Sequence, residues 1–310
     1  MVRVAPTVAI AGASGNLGGK IAQAFLLPQF RRRFHDVIIL ARSESPETQE
    51  LVSLGARLRQ YSVEKLETAL QDVDVLINTI GPSGHHFKEK LLRCLPLTSV
   101  SLYFPSEFGV NHYVHDFVHD EWDAKKRHFQ LAQELIPHIH ICRVYAGLFL
   151  EDSIGPWFGF STKHGKFEAV GSPAQRTSYT SMHDVGKALA ILAFSPSGSI
   201  PAEVHLSGDS KSFSEIAAIM EEHGSGVIDV SSISLESYKA KVLAKPSPTP
   251  ERYLRFLMAE GKIDHTDKGL GNQNRLVTSV DGFGTWKSVV DLAKETNGRP
   301  WADHDWESVD

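Results

Sequence analysis

Two cysteines in 310 residues exclude a scaffold built on disulfides. Cys94 and Cys142 stand far apart among apolar neighbours, so buried thiols in a reducing compartment are expected. A basic excess is also lacking. The net charge is −5, and the short clusters Arg31–Arg33 and Lys125–Arg127 have acids close by, so no nucleic-acid partner is expected. No uncharged apolar run approaches the roughly 20 residues that a helical membrane span needs. The first strand starts within the first ten residues, so a signal peptide is not expected either. Internal repeats and low-complexity tracts are absent, and Asp303–Asp310 reads as an acidic tail. These absences point to a cytoplasmic protein with no membrane partner; a monomer or homodimer is expected.

What is present is a chain 42% hydrophobic, long enough for one large α/β domain with an appendage or for two modest domains. Its most informative stretch is Val8–Lys20, VAIAGASGNLGGK. Val8–Ala11 is an apolar run of the kind a strand buried on both faces requires. Gly12, Ala13, Ser14, Gly15, Asn16, Leu17 and Gly18 then spell G-x-x-G-x-x-G, and an amphipathic segment with Ile21, Ala24 and Phe25 follows. Strand, glycine turn and helix bring a pyrophosphate to a helix N-terminus. Gly12 permits the tight turn, Gly15 lets backbone N–H groups approach phosphate, and Gly18 lets helix and strand pack closely. Gly12, Ser14, Gly15, Asn16, Leu17 and Gly18 are therefore candidate dinucleotide-binding residues.

Asp36–Arg42 reads as a second buried strand with a basic end, 24 residues beyond Gly18. An acid at that point binds the ribose 2′-OH of NAD, whereas an arginine accommodates the 2′-phosphate of NADP, so Arg42 points to NADP(H). Ala56–Tyr61 alternates as a third strand, Val63–Leu70 is a short helix, and Asp74–Ile80 is another buried strand closed by Gly81-Pro82. Strand–helix alternation predicts a Rossmann-like, doubly wound parallel sheet with helices on both faces. Ligands lie at the carboxyl ends of such strands, which adds Thr79 to the cofactor set.

His85 and His86 fall on the same rim, either as substrate or proton-shuttle residues or as a polar helix start. His112, His115 and His119 occupy a polar loop with Asp116 and Asp120 among them. A solvated loop is expected there, and no metal site. Glu121–Leu135 has helical period, with Lys125 and Lys126 in its first half, and Ile139–Val144 supplies the sixth strand. From Ser153 the composition shifts. Residues 1–152 are expected to form the dinucleotide-binding domain, rejoined by about 174–195. Residues 153–310 are expected to form a smaller, mostly helical substrate domain. Its helices are expected at Phe213–His223, capped by Ser212 or Ser214, and at Ser234–Leu243 and Glu251–Gly261 around the stiff linker Lys245–Pro250.

A nicotinamide fold does not by itself give a reaction. The Tyr-x-x-x-Lys pair of ordinary short-chain dehydrogenases matches only Tyr61–Lys65, which lies after the third strand, away from where the pair belongs. Near the fifth strand the chain instead has Phe104-Pro-Ser-Glu-Phe-Gly109 and, further on, Trp122-Asp-Ala-Lys125. With the glycine turn, Tyr145-Ala-Gly-Leu-Phe149 and Tyr179–Gly186, these motifs resemble the isoflavone reductase-like and NmrA-like atypical short-chain dehydrogenases. That group includes the phenylcoumaran benzylic ether and pinoresinol–lariciresinol reductases, and the resemblance runs nearly the whole length.

The resemblance implies NADPH and a lysine as general acid/base in place of the Tyr-Lys pair. Lys125 is the best match and Lys126 the alternative; Lys125 and Tyr145 also join the cofactor set. Such a lysine works as a base only where its surroundings weaken its hold on the proton. The implied activity is NADPH-dependent reduction of an aromatic or conjugated small molecule in secondary metabolism, with Trp157 and Phe158 as candidate substrate walls. Two alternatives stay open: a non-catalytic NADP(H) sensor, and an NADP(H)-binding enzyme of a net non-redox cyclisation or rearrangement. Ser62, Leu97–Val100 and the histidine-rich loop depart from the family pattern and leave the substrate undefined.

Overall fold

The computed structural model describes residues 5–304, so all but the first two residues of the acidic tail lie outside the described residues. Six strands form the main sheet: β1 (Thr7–Ala11), β2 (Asp36–Ala41), β3 (Arg57–Gln60), β4 (Val75–Asn78), β5 (Leu102–Phe104) and β6 (His140–Ile141). Their order is β3-β2-β1-β4-β5-β6, and every neighbouring pair is parallel. This is the doubly wound order, with its switch point between β1 and β4. The expected sixth strand arrives in two pieces. Cys142 N still donates to Tyr103 O (3.0 Å), but Arg143 N turns to Ala202 O (2.9 Å), and β7 (Arg143–Tyr145) pairs in parallel with a strand at Glu203–His205.

Two-residue periodicity sorts each buried strand onto two faces. Val8, Ile10, Val37, Ile39, Val75 and Ile77 enter one core cluster, which also holds Ile21, Phe25, Val185 and Leu189. Ala9, Ala11, Ile38, Leu40 and Leu76 enter the opposite one, with Leu91, Leu92, Ala132 and Ile136. The covering helices are α1 (Asn16–Leu26), α2 (His85–Cys94), α3 (Asp120–Leu135) and α4 (Met182–Phe194). α1 and α4 lie on the first face, α2 and α3 on the second. Residues 182–194 pack on the same core face of the sheet as α1.

A third cluster gathers Leu150, Phe160, Phe167, Ile216, Phe256 and Leu257, together with Val110, which follows β5, and Trp122 of α3. Around it are α5 (Phe213–Glu222), α6 (Leu235–Ala244) and α7 (Pro250–Ala259), plus two three-stranded sheets. Ser212 caps α5: its Oγ accepts from Glu215 N, and Glu215 Oε2 accepts from Ser212 N (2.9 Å). Among the described residues no helix is long and apolar enough to cross a membrane.

α1 and α4 touch through Gly186. A methyl group there would sit 2.7 Å from Ala24 Cβ, 2.9 Å from Ile21 Cα and 3.1 Å from the Lys20 carbonyl. Gly186→Val should therefore force the helices apart and cost about 2 kcal/mol or more. Gly198, with nothing within 4 Å of its added methyl, should accept alanine at almost no cost. Urea unfolding of both variants checks this: a midpoint unchanged in Gly186→Val would mean the contact is not tight.

Candidate functional site

The site begins where β1 ends. Gly12 adopts a φ of +91°, and Gly15 N donates to Gly12 O (3.0 Å), closing the turn. A methyl group at Gly18 would lie 2.1 Å from Gly12 O and 2.5 Å from Thr79 Oγ1, so only hydrogen fits there. Thr79 Oγ1 donates to Ala11 O (2.8 Å) and so ties the end of β4 to the end of β1. α1 starts at this point with no side-chain cap and no acid in its first turn. Its first N–H groups are left to a ligand, and its dipole favours an anion.

The turn opens into a cleft of about 740 Å³. Gly12, Ser14, Gly15, Arg42 and Thr79, all expected at the cofactor, line it, as do Tyr61, His86 and Phe87. Tyr61 and Phe87 stack with centroids 5.0 Å apart, forming a flat wall beside Arg42. Asn16 is exposed instead, and its amide donates to Asp152 Oδ2 (3.5 Å). Leu17 packs on the main core, and Gly18 is buried beneath the turn.

A second group of polar residues adjoins this rim, because Ser106 Oγ donates to Ile80 O (2.9 Å) and Ile80 lines the cleft. After β5 the chain passes through Glu107, which is buried, and Phe108, held at a φ of +40° that non-glycine residues seldom adopt. Lys125 Nζ donates to Glu107 O (3.4 Å), while Lys126 pairs with Asp123 one turn back (3.4 Å). Of the two lysines, Lys125 is the one that faces the end of β5. Burial raises the Glu107 carboxyl above its ordinary pKa, with Lys125, Arg143 and Lys88 opposing.

Lys88 was not singled out from the sequence. It is 3% exposed, and its pKa is pulled down to about 8, first by burial and then by Lys125. Its signal lay in the helical period: Lys88 occupies the same stripe as Leu91, Leu92 and Leu95. The Tyr103–His128 pair was also missed. Tyr103 OH lies 2.8 Å from His128 Nε2 and accepts from Asn78 Nδ2 (3.0 Å), making a buried polar line from β4 to α3.

His85 and His86 diverge. His86 faces the cleft, whereas His85 turns toward Lys88, Glu121 and Lys125, where burial lowers its pKa. Tyr145 does not line the cleft. It is fully buried against His205 (5.0 Å between centroids), and its hydroxyl has no partner among the described residues. Trp157 and Phe158 are not brought to the cleft either: Phe158 is in the third core cluster, and Trp157 lines a separate cavity beside α6 and α7.

The expectation of a solvated histidine loop is overturned. His112, His115 and His119 are 4%, 7% and 8% exposed. Trp122 is sandwiched between His112 (4.4 Å, 19°) and His119 (4.0 Å, 17°), and His115 stacks on Phe117 (4.1 Å). The flat faces of neutral imidazoles pack as aromatics do, and alternation with Trp122, Phe117 and Tyr253 draws the loop inward. Among the described residues no group of three or more His, Cys, Asp or Glu is arranged to hold a metal.

Three comparisons bear on this arrangement. The model of the NmrA-like family matches residues 5–264. An "oxidoreductase swnR" of Arthroderma benhamiae is 25% identical over 238 residues, 69% of this chain and 74% of the relative. An "NmrA-like family domain-containing oxidoreductase" of Gibberella moniliformis is 25% identical over 299 residues, 91% and 97% of the two chains. Among solved structures, the binary complex of leucoanthocyanidin reductase with NADPH from Vitis vinifera superposes with a TM-score of 0.76. It is 18% identical and covers 94% of this chain and 99% of the other, a likeness of fold.

Buried histidines give the fold a pH dependence. Burial holds His265 and His128 down to about 4, and His115 likewise. As pH falls through about 6.5 the unfolded chain takes up protons while these folded side chains stay neutral, so stability is lost between about 6.5 and 4 and is fully present above. His265 alone should account for about 3 kcal/mol across that window. Urea midpoints at pH 7.5, 6 and 5 should fall steadily; a flat series would contradict the burial of these rings.

Proposed function

Because the chain belongs to the NmrA-like family, we propose that it is an NADP-dependent oxidoreductase acting on an aromatic or conjugated small molecule, with Lys125 as general acid/base. The observation that carries this reading is Lys125 Nζ held on Glu107 O beside the rim of the dinucleotide cleft. A role in secondary metabolism and a division into residues 1–152 for the cofactor and 153–310 over the substrate belong to the same reading.

The cleft suits NADP(H): its turn excludes a Cβ at Gly18, α1 offers an uncapped N-terminus, and Arg42 stands at the rim. Gly12, Ser14, Gly15 and Thr79 would hold the pyrophosphate side, and Arg42 the 2′-phosphate. Tyr61 offers a flat face for the adenine. When bound, NADPH supplies a hydride to a benzylic or conjugated carbon of the substrate. Lys125 exchanges a proton with a phenolic or carbonyl oxygen of the substrate, and Glu107 O fixes the direction of its ammonium. Lys88 lies buried beside Lys125, whose charge adds to burial in lowering the pKa of Lys88.

Lys125→Ala should abolish turnover and leave NADPH affinity within about threefold, while Arg42→Ala should weaken NADPH at least tenfold and leave NADH unchanged. Turnover retained in Lys125→Ala would remove that lysine from the mechanism. With 4-deuterated NADPH the label should appear in the product. Product without label would mean a net non-redox reaction, and NADPH binding with no turnover of any enone or quinone methide would favour a sensor. The pH profile of kcat/KM should bend near 8, where Lys88 titrates, and lose that bend in Lys88→Met. A bend that persists would assign it to another group.

A further inference from the structure

Two charged side chains behind the cleft have no bond that accounts for their burial. Lys88 on α2 and Glu107, just after β5, are 3% and 6% exposed. Neither the Lys88 ammonium nor the Glu107 carboxylate has a hydrogen bond or an ion pair among the described residues. A charge buried without a partner is costly, and a ligand group that pairs with it recovers that cost. Both tips also stay open. Lys88 Nζ and the Glu107 carboxyl oxygens are not among the sealed polar atoms, which here include His85 Nε2 and Tyr145 OH.

The surrounding charges do not use these two groups up. Lys125, Glu121 and Glu107 act on Lys88 at longer range, and Lys125, Arg143 and Lys88 act on Glu107. Arg143 is paired with Glu203 instead, and Lys126 with Asp123. Lys125 Nζ donates to the carbonyl of Glu107 (3.4 Å), so the ammonium of the proposed reaction and the free carboxylate meet at one residue.

A carboxylate only accepts hydrogen bonds and an ammonium only donates them. One hydroxyl satisfies both, giving its proton to Glu107 and its lone pair to Lys88. The proposed reaction already sets one substrate oxygen at Lys125. Because Lys125 is held on Glu107 itself, the second oxygen stands close to the first, as on adjacent carbons of one ring.

We propose that Glu107 and Lys88 contact the substrate by binding a hydroxyl next to the oxygen served by Lys125, which makes the substrate class an ortho-dihydroxyarene, a catechol. This rests on the reading of Lys125 as general acid/base. Methylation of that hydroxyl removes the proton that Glu107 accepts and leaves the buried carboxylate facing an ether, so the methyl ether is rejected.

The test titrates the full-length protein, saturated with NADP⁺, with 4-nitrocatechol and with its monomethyl ether 2-methoxy-4-nitrophenol. In both probes the hydroxyl para to the nitro group ionises, and only the neighbouring oxygen differs. Calorimetry should give one saturable nitrocatechol site per chain, with the ether about tenfold weaker or worse. Glu107→Gln should bring the two affinities within about threefold of each other, and Lys88→Met should weaken nitrocatechol about fivefold or more. Both variants should keep NADP⁺ affinity, which reports an intact fold. Lys125→Ala should weaken both probes and preserve their ratio. The proposal is overturned by no saturable nitrocatechol binding, by equal affinities in the unaltered protein, or by a ratio that Glu107→Gln leaves unchanged. Lys125-dependent turnover with equal affinities would sink the catechol site alone. Discrimination without turnover of any substrate would sink the oxidoreductase reading and keep the site.

Discussion

Between Gly18 and the carbonyl of Gly12 there is room for a hydrogen atom and nothing larger. That approach allows α1 to start directly under the turn, and the Thr79–Ala11 hydrogen bond keeps β1 and β4 level where they meet. The cleft, the uncapped helix end and the position of Arg42 all depend on that level meeting. A side chain at Gly18 would push α1 away from the sheet.

Behind the cleft, the molecule accepts a cost that ordinary cores avoid. Lys88, Glu107, Tyr103 and His128 are buried or nearly so, beneath the carboxyl ends of β4 and β5. Burial works against the charged form of each, raising the acids and lowering the bases. Such groups gather where proton affinity has to be adjusted, and the backbone strain at Phe108 lies in the same segment. The aromatic layer of Trp122 and its histidines fills the adjoining space without adding charge.

How much of this was legible in the sequence depended on the range of the interactions. The strands of the sheet were readable because an apolar run between turn residues has few other uses. That Gly12, Gly15 and Arg42 share one cleft was readable because their spacing is fixed by one strand and one helix. The histidine loop was misread because polarity was taken for exposure. Imidazoles stacked on Trp122 are brought there by contacts with Phe117 and Tyr253, the latter more than 100 residues away in the chain. Trp157 and Phe158 were aromatic enough for a substrate wall, but the Gly155–Phe160 turn aims them at other neighbours. The sequence left Lys125 and Lys126 open; the rotation of α3 turns Lys125 toward Glu107 O and Lys126 toward Asp123.

The packing of α4 on α1 bears on how the chain leaves the ribosome. Ile21, Ala24 and Phe25 are made early, yet the helix that covers them follows about 160 residues later. At roughly 5–20 residues per second, that face stays uncovered for roughly 10–30 s of synthesis. The face of the six-stranded sheet that carries α1 therefore cannot be covered until α4 has been made. Until then a holdase has a defined apolar surface to guard.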